Sequence, residues 1–253
     1  MHELRSEIVQ KSILRWAKAV RQWTRRWETG IYPFEMATFL GICDAMQVRT
    51  VIDSGRGPDA YSTHILGEFS ERTEISVYSF DLTPVEKKHY KDSLAHFQRV
   101  NCLAGDVFVQ LPGVLRQCRR PVALLVDGPK KEDATRLSLT ASIVFDIRII
   151  AHHNCPPAAS WTRRFRNIFM QTCTVEDFEL SNFPEWLEFR AWERQVTKNY
   201  SLASSERSGD MDRSLDVSSL VIGVTEGYKG RKRLIWKSGL KGWLLNRRWQ
   251  RTL

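Results

Sequence analysis

Short apolar runs alternate along this chain with longer segments whose apolar residues recur at helical spacing. The runs that read as strands are Val51-Ile52, "ISVYSFD" (Ile75 to Asp81), "VNCLAGD" (Val100 to Asp106), "VALLVDG" (Val122 to Gly128) and "IRIIAHHN" (Ile147 to Asn154). Between the later ones lie "PVEKKHYKDSLAHF", "VFVQLPGVLRQC" and "KKEDATRLSLTASIVF", each long and polar enough for a helix. Strands separated by single helices imply right-handed crossovers and a parallel sheet with helices on both faces. Beyond Glu176, "LEFRAWERQV" and "SSLVIGVTEG" read as two more strands, an antiparallel pair that finishes the sheet. The polar stretch from Ser204 to Ser219 joins them as a mobile loop.

Ahead of the sheet, Ile8, Ile13, Trp16, Ala17, Val20, Trp23 and Trp27 recur at helical spacing between Leu4 and about Glu28, and Gly30 and Pro33 supply the stop. A second helix follows from Phe34 to Met46. The fold class is therefore α/β, a doubly wound, mostly parallel sheet with a terminal antiparallel strand pair and helical N- and C-terminal extensions. The organisation expected is an amphipathic helix over 1–30, one α/β domain over 31–227 and a basic, tryptophan-rich extension over 228–253. An apolar fraction of 42% in 253 residues suits one such core.

The candidate site follows from the topology. In an open parallel sheet, ligands bind beyond the carboxyl ends of the strands, and four of these strands end at or beside an acid: Asp53, Asp81, Asp106 and Asp127. After the first strand comes "VIDSGRGPDAY", where Gly55 and Gly57 permit a sharp turn and a close approach of backbone to ligand. Gly55-Arg-Gly57-Pro-Asp-Ala60 fits a dinucleotide fingerprint, with Asp81 near the distance of a ribose-binding acid. It also fits a plain strand-to-helix turn. Asp53 at the strand tip and Asp59 in the loop would repel a pyrophosphate, whereas a carboxylate there suits a cation such as the amino group of S-adenosylmethionine.

These motifs, in this order, resemble those of the class I S-adenosylmethionine-dependent methyltransferases, whose sheet is Rossmann-like, over roughly Phe34 to Asn154. The resemblance implies that Asp53, Gly55 and Gly57 form the glycine turn, that Asp81 in "VYSFDLTP" binds the ribose hydroxyls, and that Asp106 of "GD" lies near the adenine amino group. The third glycine is replaced by Asp59 or Ala60, and the bulky Arg56 separates the other two. "LLVDGPKKED" is similar to segments of the small-molecule branch, distantly like catechol O-methyltransferase, where an Asp at the position of Asp127 binds magnesium and a Lys at that of Lys130 is the general base. The Asp-Asn pair that completes the magnesium site there is His153-Asn154 here. His is a poor ligand for a hard cation, so a divalent metal is not favoured. Lys130 and His153 are the candidate catalytic groups, with His152 the alternative, since strand neighbours point to opposite sides.

Charge changes the picture only at the ends. The net charge of +9 is concentrated in Lys229 to Arg251, which contains no acid, and in the first thirty residues, so the central domain is mildly acidic. Trp236, Leu240, Trp243 and Leu244 alternate with Lys237, Lys241, Arg247 and Arg248, the composition of a helix lying on an anionic membrane surface. Nucleic acid is the less favoured partner, because the charge lies away from the crevice. A packed tryptophan face with solvated charges is the remaining reading. The charged N-terminus lacks a signal-peptide core and no uncharged apolar run is long enough to span a bilayer, so a cytoplasmic and membrane-associated location is expected. Cys43, Cys102, Cys118, Cys155 and Cys173 lack paired spacing and read as buried thiols. The function expected is O-methylation, by S-adenosylmethionine, of a small molecule, glycan or lipid-linked acceptor. An NAD(P)-dependent oxidoreductase, or a degenerate methyltransferase fold that binds membrane or RNA, are the alternatives.

Overall fold

The computed structural model of the chain describes residues 6–24, 30–57, 60–85, 88–145, 147–155, 171–204 and 220–224, together with Trp27, Arg163 and Arg166. Helices α1 (Glu7–Trp23) and α2 (Pro33–Ala45) precede the alternating core: β1 (Thr50–Ser54), α3 (Tyr61–Thr73), β2 (Ser76–Asp81), α4 (Lys88–Ala95), β3 (Val100–Ala104), α5 (Val107–Gln117), β4 (Val122–Val126), α6 (Lys131–Phe145) and β5 (Ile149–His152). Then come β6 (Gln171–Cys173), two short 3-10 turns, α7 (Pro184–Ser204) and β7 (Val221–Val224).

The seven strands form one sheet in the order β3-β2-β1-β4-β5-β7-β6. Strands β1 to β5 pair in parallel, and β7 runs antiparallel to both β5 and β6. The arrangement expected from the alternating pattern is thus present: a Rossmann-like, mostly parallel sheet closed by an antiparallel pair. The chain reverses its direction of travel across the sheet between β1 and β4. That switch point opens a crevice at the strands' carboxyl ends.

Alternation of side chains along the central strands feeds two cores. Val51, Ala123, Leu125, Ile149 and Ala151 face α1, α2 and α3, while Ile52, Val122, Leu124, Val126 and Ile150 face α5 and α6. All ten are fully buried, which is why β1, β4 and β5 read as continuous apolar runs. The edge strand β3 is half exposed.

Helix α1 is part of the larger core rather than an appendage. Val9, Ile13, Trp16, Ala17, Val20 and Trp23 are buried, and Trp16 meets Phe69 of α3 edge to face at 4.5 Å between ring centroids. Gly41 of α2 admits the close approach of α1, since a Cβ there would stand 2.6 Å from the Ile13 backbone. Arg15 and Arg72 lie over the Trp16 and Trp23 rings at 4.8 and 4.7 Å. The tryptophan face of this helix is turned inward, and Ile8, expected on that apolar face, points to solvent while Val9 takes its place.

Two further expectations are corrected. "LEFRAWERQV" is helix, not strand: it lies within α7, where Trp186, Phe189, Glu193 and Thr197 are buried at spacings of three and four. The partner of β7 is Gln171–Cys173, so the antiparallel pair has a different first member. Not all thiols are buried either; Cys43, Cys155 and Cys173 are, Cys118 is half-buried and Cys102 is exposed on β3. The polar stretch 205–219 and the basic extension 228–253 lie outside the described residues. Among the described residues no helix is long and apolar enough to cross a membrane.

Candidate active site in the switch-point crevice

The loops after β1 and β4 meet at the head of the crevice. Ser54 O accepts hydrogen bonds from Asp127 N (2.8 Å) and Gly128 N (2.6 Å), which pulls the two loops together. Gly55, with φ +99°, fits only because it lacks a side chain: a Cβ would stand 2.2 Å from Gly128 N. Gly57 is the opposite case, with φ +68° and open space where its Cβ would be. The first glycine therefore serves loop packing, and the second leaves room for a ligand. Ala60, at the fingerprint's last small position, caps α3 in the left-handed conformation.

The turn's amides are already used. Gly55 N and Arg56 N donate to Phe80 O at 2.9 and 3.0 Å, and Gly57 N donates to Asp81 Oδ2 at 2.9 Å. Asp81 Oδ1 accepts from Thr83 N and Thr83 Oγ1. The carboxylate at the end of β2 thus hangs beside the open side of the turn. Asp106 is exposed and caps α5, its Oδ1 accepting from Phe108 N at 2.8 Å.

Asp53 lies beneath this turn, wholly buried. Its Oδ2 accepts from Thr63 Oγ1 (2.8 Å), Ser79 Oγ (3.0 Å) and Ser62 Oγ (3.2 Å), which ties β1 to β2 and to the first turn of α3. Its Oδ1 has no hydrogen-bond partner among the described residues. Burial raises the carboxyl to about 6, against the lowering effect of the Thr63 and Ser79 hydroxyls. One oxygen of this buried acid is thus held by hydroxyls and the other is left without a donor.

At the β4 and β5 ends the acid is compensated by charge instead. Asp127 Oδ1 accepts from His153 Nδ1 (2.7 Å) and Asn154 Nδ2 (3.1 Å) and pairs with Lys130 Nζ. Burial by itself would raise Asp127, but His153 and Lys130 outweigh it and hold the carboxyl well below the usual range. His153 has no exposed side-chain surface; its Nε2 lies 3.5 Å from Glu35 Oε2 and has no hydrogen-bond partner among the described residues. Glu35, the third residue of α2, also accepts from Tyr32 N and Leu220 N. His152, on the other side of the strand, is buried and lowered to about 4 by desolvation and by His153. Lys130 is the exposed member of this network, its side chain 55% exposed against 12% for Asp127.

The structure therefore gathers Asp53, Gly55, Gly57 and Asp81 at one end of the crevice and Asp127, Lys130 and His153 at the other. Asp106, at the head of α5, follows Gly105, whose N donates to Asp81 O at 2.8 Å. Sequence reasoning missed Glu35, and missed Ser62, Thr63 and Ser79 as holders of Asp53. Glu35 had a signal in Pro33-x-Glu35, the pattern of a helix start with an acid at its third residue. Among the described residues, no three or more His, Cys, Asp or Glu side chains gather as a metal site.

No protein-family model matches the chain, and no curated protein matches it. Solved structures do. An SAH-bound methyltransferase of Podospora anserina, PaMTH1, is 11% identical with a TM-score of 0.43, over 85% of this chain and 88% of that one. Cofactor-bound Rv0187 of MTB is 12% identical with a TM-score of 0.44, over 84% and 88%. The strand order and the switch-point geometry are this chain's own.

Proposed function

We propose that the chain is an S-adenosylmethionine-dependent methyltransferase acting on the hydroxyl of a small-molecule acceptor. The observation that carries this reading is Asp53: a buried carboxylate under the open glycine turn, with three hydroxyls on Oδ2 and none on Oδ1. A buried polar atom without a partner requires one, and an ammonium group such as that of the methionine moiety supplies it. Asp53 would hold that ammonium, Gly57 would leave room for the backbone to approach, Asp81 would take the ribose hydroxyls and Asp106 the adenine edge. Bound there, the cofactor supplies an electrophilic methyl group on a sulfonium.

The remaining chemistry belongs to the chain. Lys130 would take the proton of the acceptor hydroxyl. Asp127 anchors Lys130, and His153 acts through Asp127, because its enclosed ring meets no acceptor. Orientation of the two reactants supplies much of the rate.

The dinucleotide alternative fares worse on this geometry. A pyrophosphate needs free backbone amides, and those of Gly55, Arg56 and Gly57 are engaged within the chain. Calorimetric titration with S-adenosylmethionine and S-adenosylhomocysteine, with NADH as competitor and Asp81→Ala as control, tests the reading. Micromolar binding of the adenosyl ligands, lost in the variant, is expected. NADH binding alone would overturn it. Once an acceptor is found, Lys130→Arg, which keeps the pair with Asp127 but not the base, should slow transfer about a hundredfold.

A further inference from the structure

Arg56 is the residue of the glycine turn to which neither the turn nor the chemistry above gives a role. Its side chain does not reach out over the crevice. It folds underneath, leaving the residue 5% exposed, and crosses from the β1 turn to the end of β2. There Nη1 donates to Ser79 O at 3.1 Å and Nη2 to Thr83 O at 3.0 Å. These two carbonyls lie two residues before and two residues after Asp81.

Asp81 is consequently held from three sides. The fork of Arg56 grips the backbone on either side of it, Gly57 N fixes Oδ2, and Thr83 fixes Oδ1. A buried guanidinium whose hydrogen bonds go to carbonyls rather than to a carboxylate is costly to keep for packing alone. Its rigid planar fork, however, sets a fixed spacing between two backbone points.

We propose that Arg56 is a positioning residue for the adenosyl group: it fixes the height and direction of the Asp81 carboxylate, and through it the affinity for the ribose. The inference rests on the reading that an adenosyl cofactor binds at this turn. It also explains how the loop keeps its shape with a bulky residue between its two glycines.

A double-mutant cycle with S-adenosylhomocysteine as the probe tests it, using calorimetry on the full chain. The unsubstituted chain is titrated first; lack of binding there overturns the cofactor reading, and this inference falls with it for that separate reason. If it binds, Arg56→Ala and Asp81→Asn should each weaken affinity at least tenfold, and the double variant should be no weaker than Asp81→Asn alone. Arg56→Lys, able to reach one carbonyl but not both, should fall between. Affinity within twofold of the unsubstituted chain in Arg56→Ala, or losses that multiply in the double variant, would overturn the proposal. Should Arg56→Ala fail to show a cooperative thermal transition, the same cycle run with Arg56→Lys decides it by the same criterion of non-additivity.

Discussion

The two ends of the crevice hold buried acids in opposite states. Asp53 is surrounded by neutral donors, three hydroxyls on one oxygen, and burial pushes it up to about 6. Asp127 is surrounded by His153, Asn154 and Lys130, and the cations hold it down. A carboxylate compensated by its own chain has no electrostatic need of a ligand, whereas one held only by hydroxyls does. The comparison assigns cofactor recognition to the β1 side and the anchoring of a reactive side chain to the β4 side.

The junction between the two ends is the most sensitive point. Gly55→Val would drive a branched side chain into the Gly128 backbone from a left-handed conformation. It should destabilise the chain by about 3 kcal/mol or more and abolish cofactor binding, as read by urea unfolding and calorimetry.

Exchanging charge for amide at each acid separates the two roles. Asp127→Asn strands His153 and Lys130 without their anion and should lower stability by roughly 2–3 kcal/mol. Asp53→Asn removes a buried charge whose partners are rotatable hydroxyls, and its stability should change by less than about 1 kcal/mol. Its affinity for S-adenosylmethionine should nevertheless fall tenfold or more. Equal stability losses in the two variants would erase the distinction.

The pH dependence is the smallest effect and carries opposite signs. Asp53 rises from 3.8 to about 6 on folding, and Glu193, buried in α7 against Phe34 N and Arg190, rises from 4.5 to about 7. The folded chain holds both protons more tightly than the unfolded chain. Their contribution to stability is therefore present at low pH and lost as the pH rises through these folded values. Asp127 works the other way, contributing above its ordinary value of 3.8 and losing its share as the pH falls below that. Urea unfolding between pH 5 and 7 should show a decline of on the order of 1–2 kcal/mol, reduced in Glu193→Gln and in Asp53→Asn. An unchanged slope in both variants would show that neither acid titrates in this window.

Much of this architecture is written in local pattern. The five parallel strands, their crossover helices and the acids at their ends follow from apolar runs and helical spacing, because β1, β4 and β5 are buried on both faces and the amphipathic helices mainly on one. Beyond Glu176 the pattern marks β7 but not α7, since a segment with aromatic residues at both strand-like and helical positions is decided by what it packs against. Trp186, Phe189 and Glu193 find the α1 and α2 layer, and the segment becomes α7.

Gly55 and Gly57 look equivalent in sequence. Only the contact with Gly128 makes one a packing residue and leaves the other facing open space. His153 likewise reads as a base beside a crevice until Glu35, more than a hundred residues away, closes over its ring. The sequence by itself determined the order and type of most elements and the position of Asp53, Asp81 and Asp127 at strand ends, because periodicity and strand direction are local. Only the tertiary structure decided which of those acids is compensated by charge and which is held by hydroxyls alone, because burial and charge pairing depend on neighbours that the fold brings from distant parts of the chain.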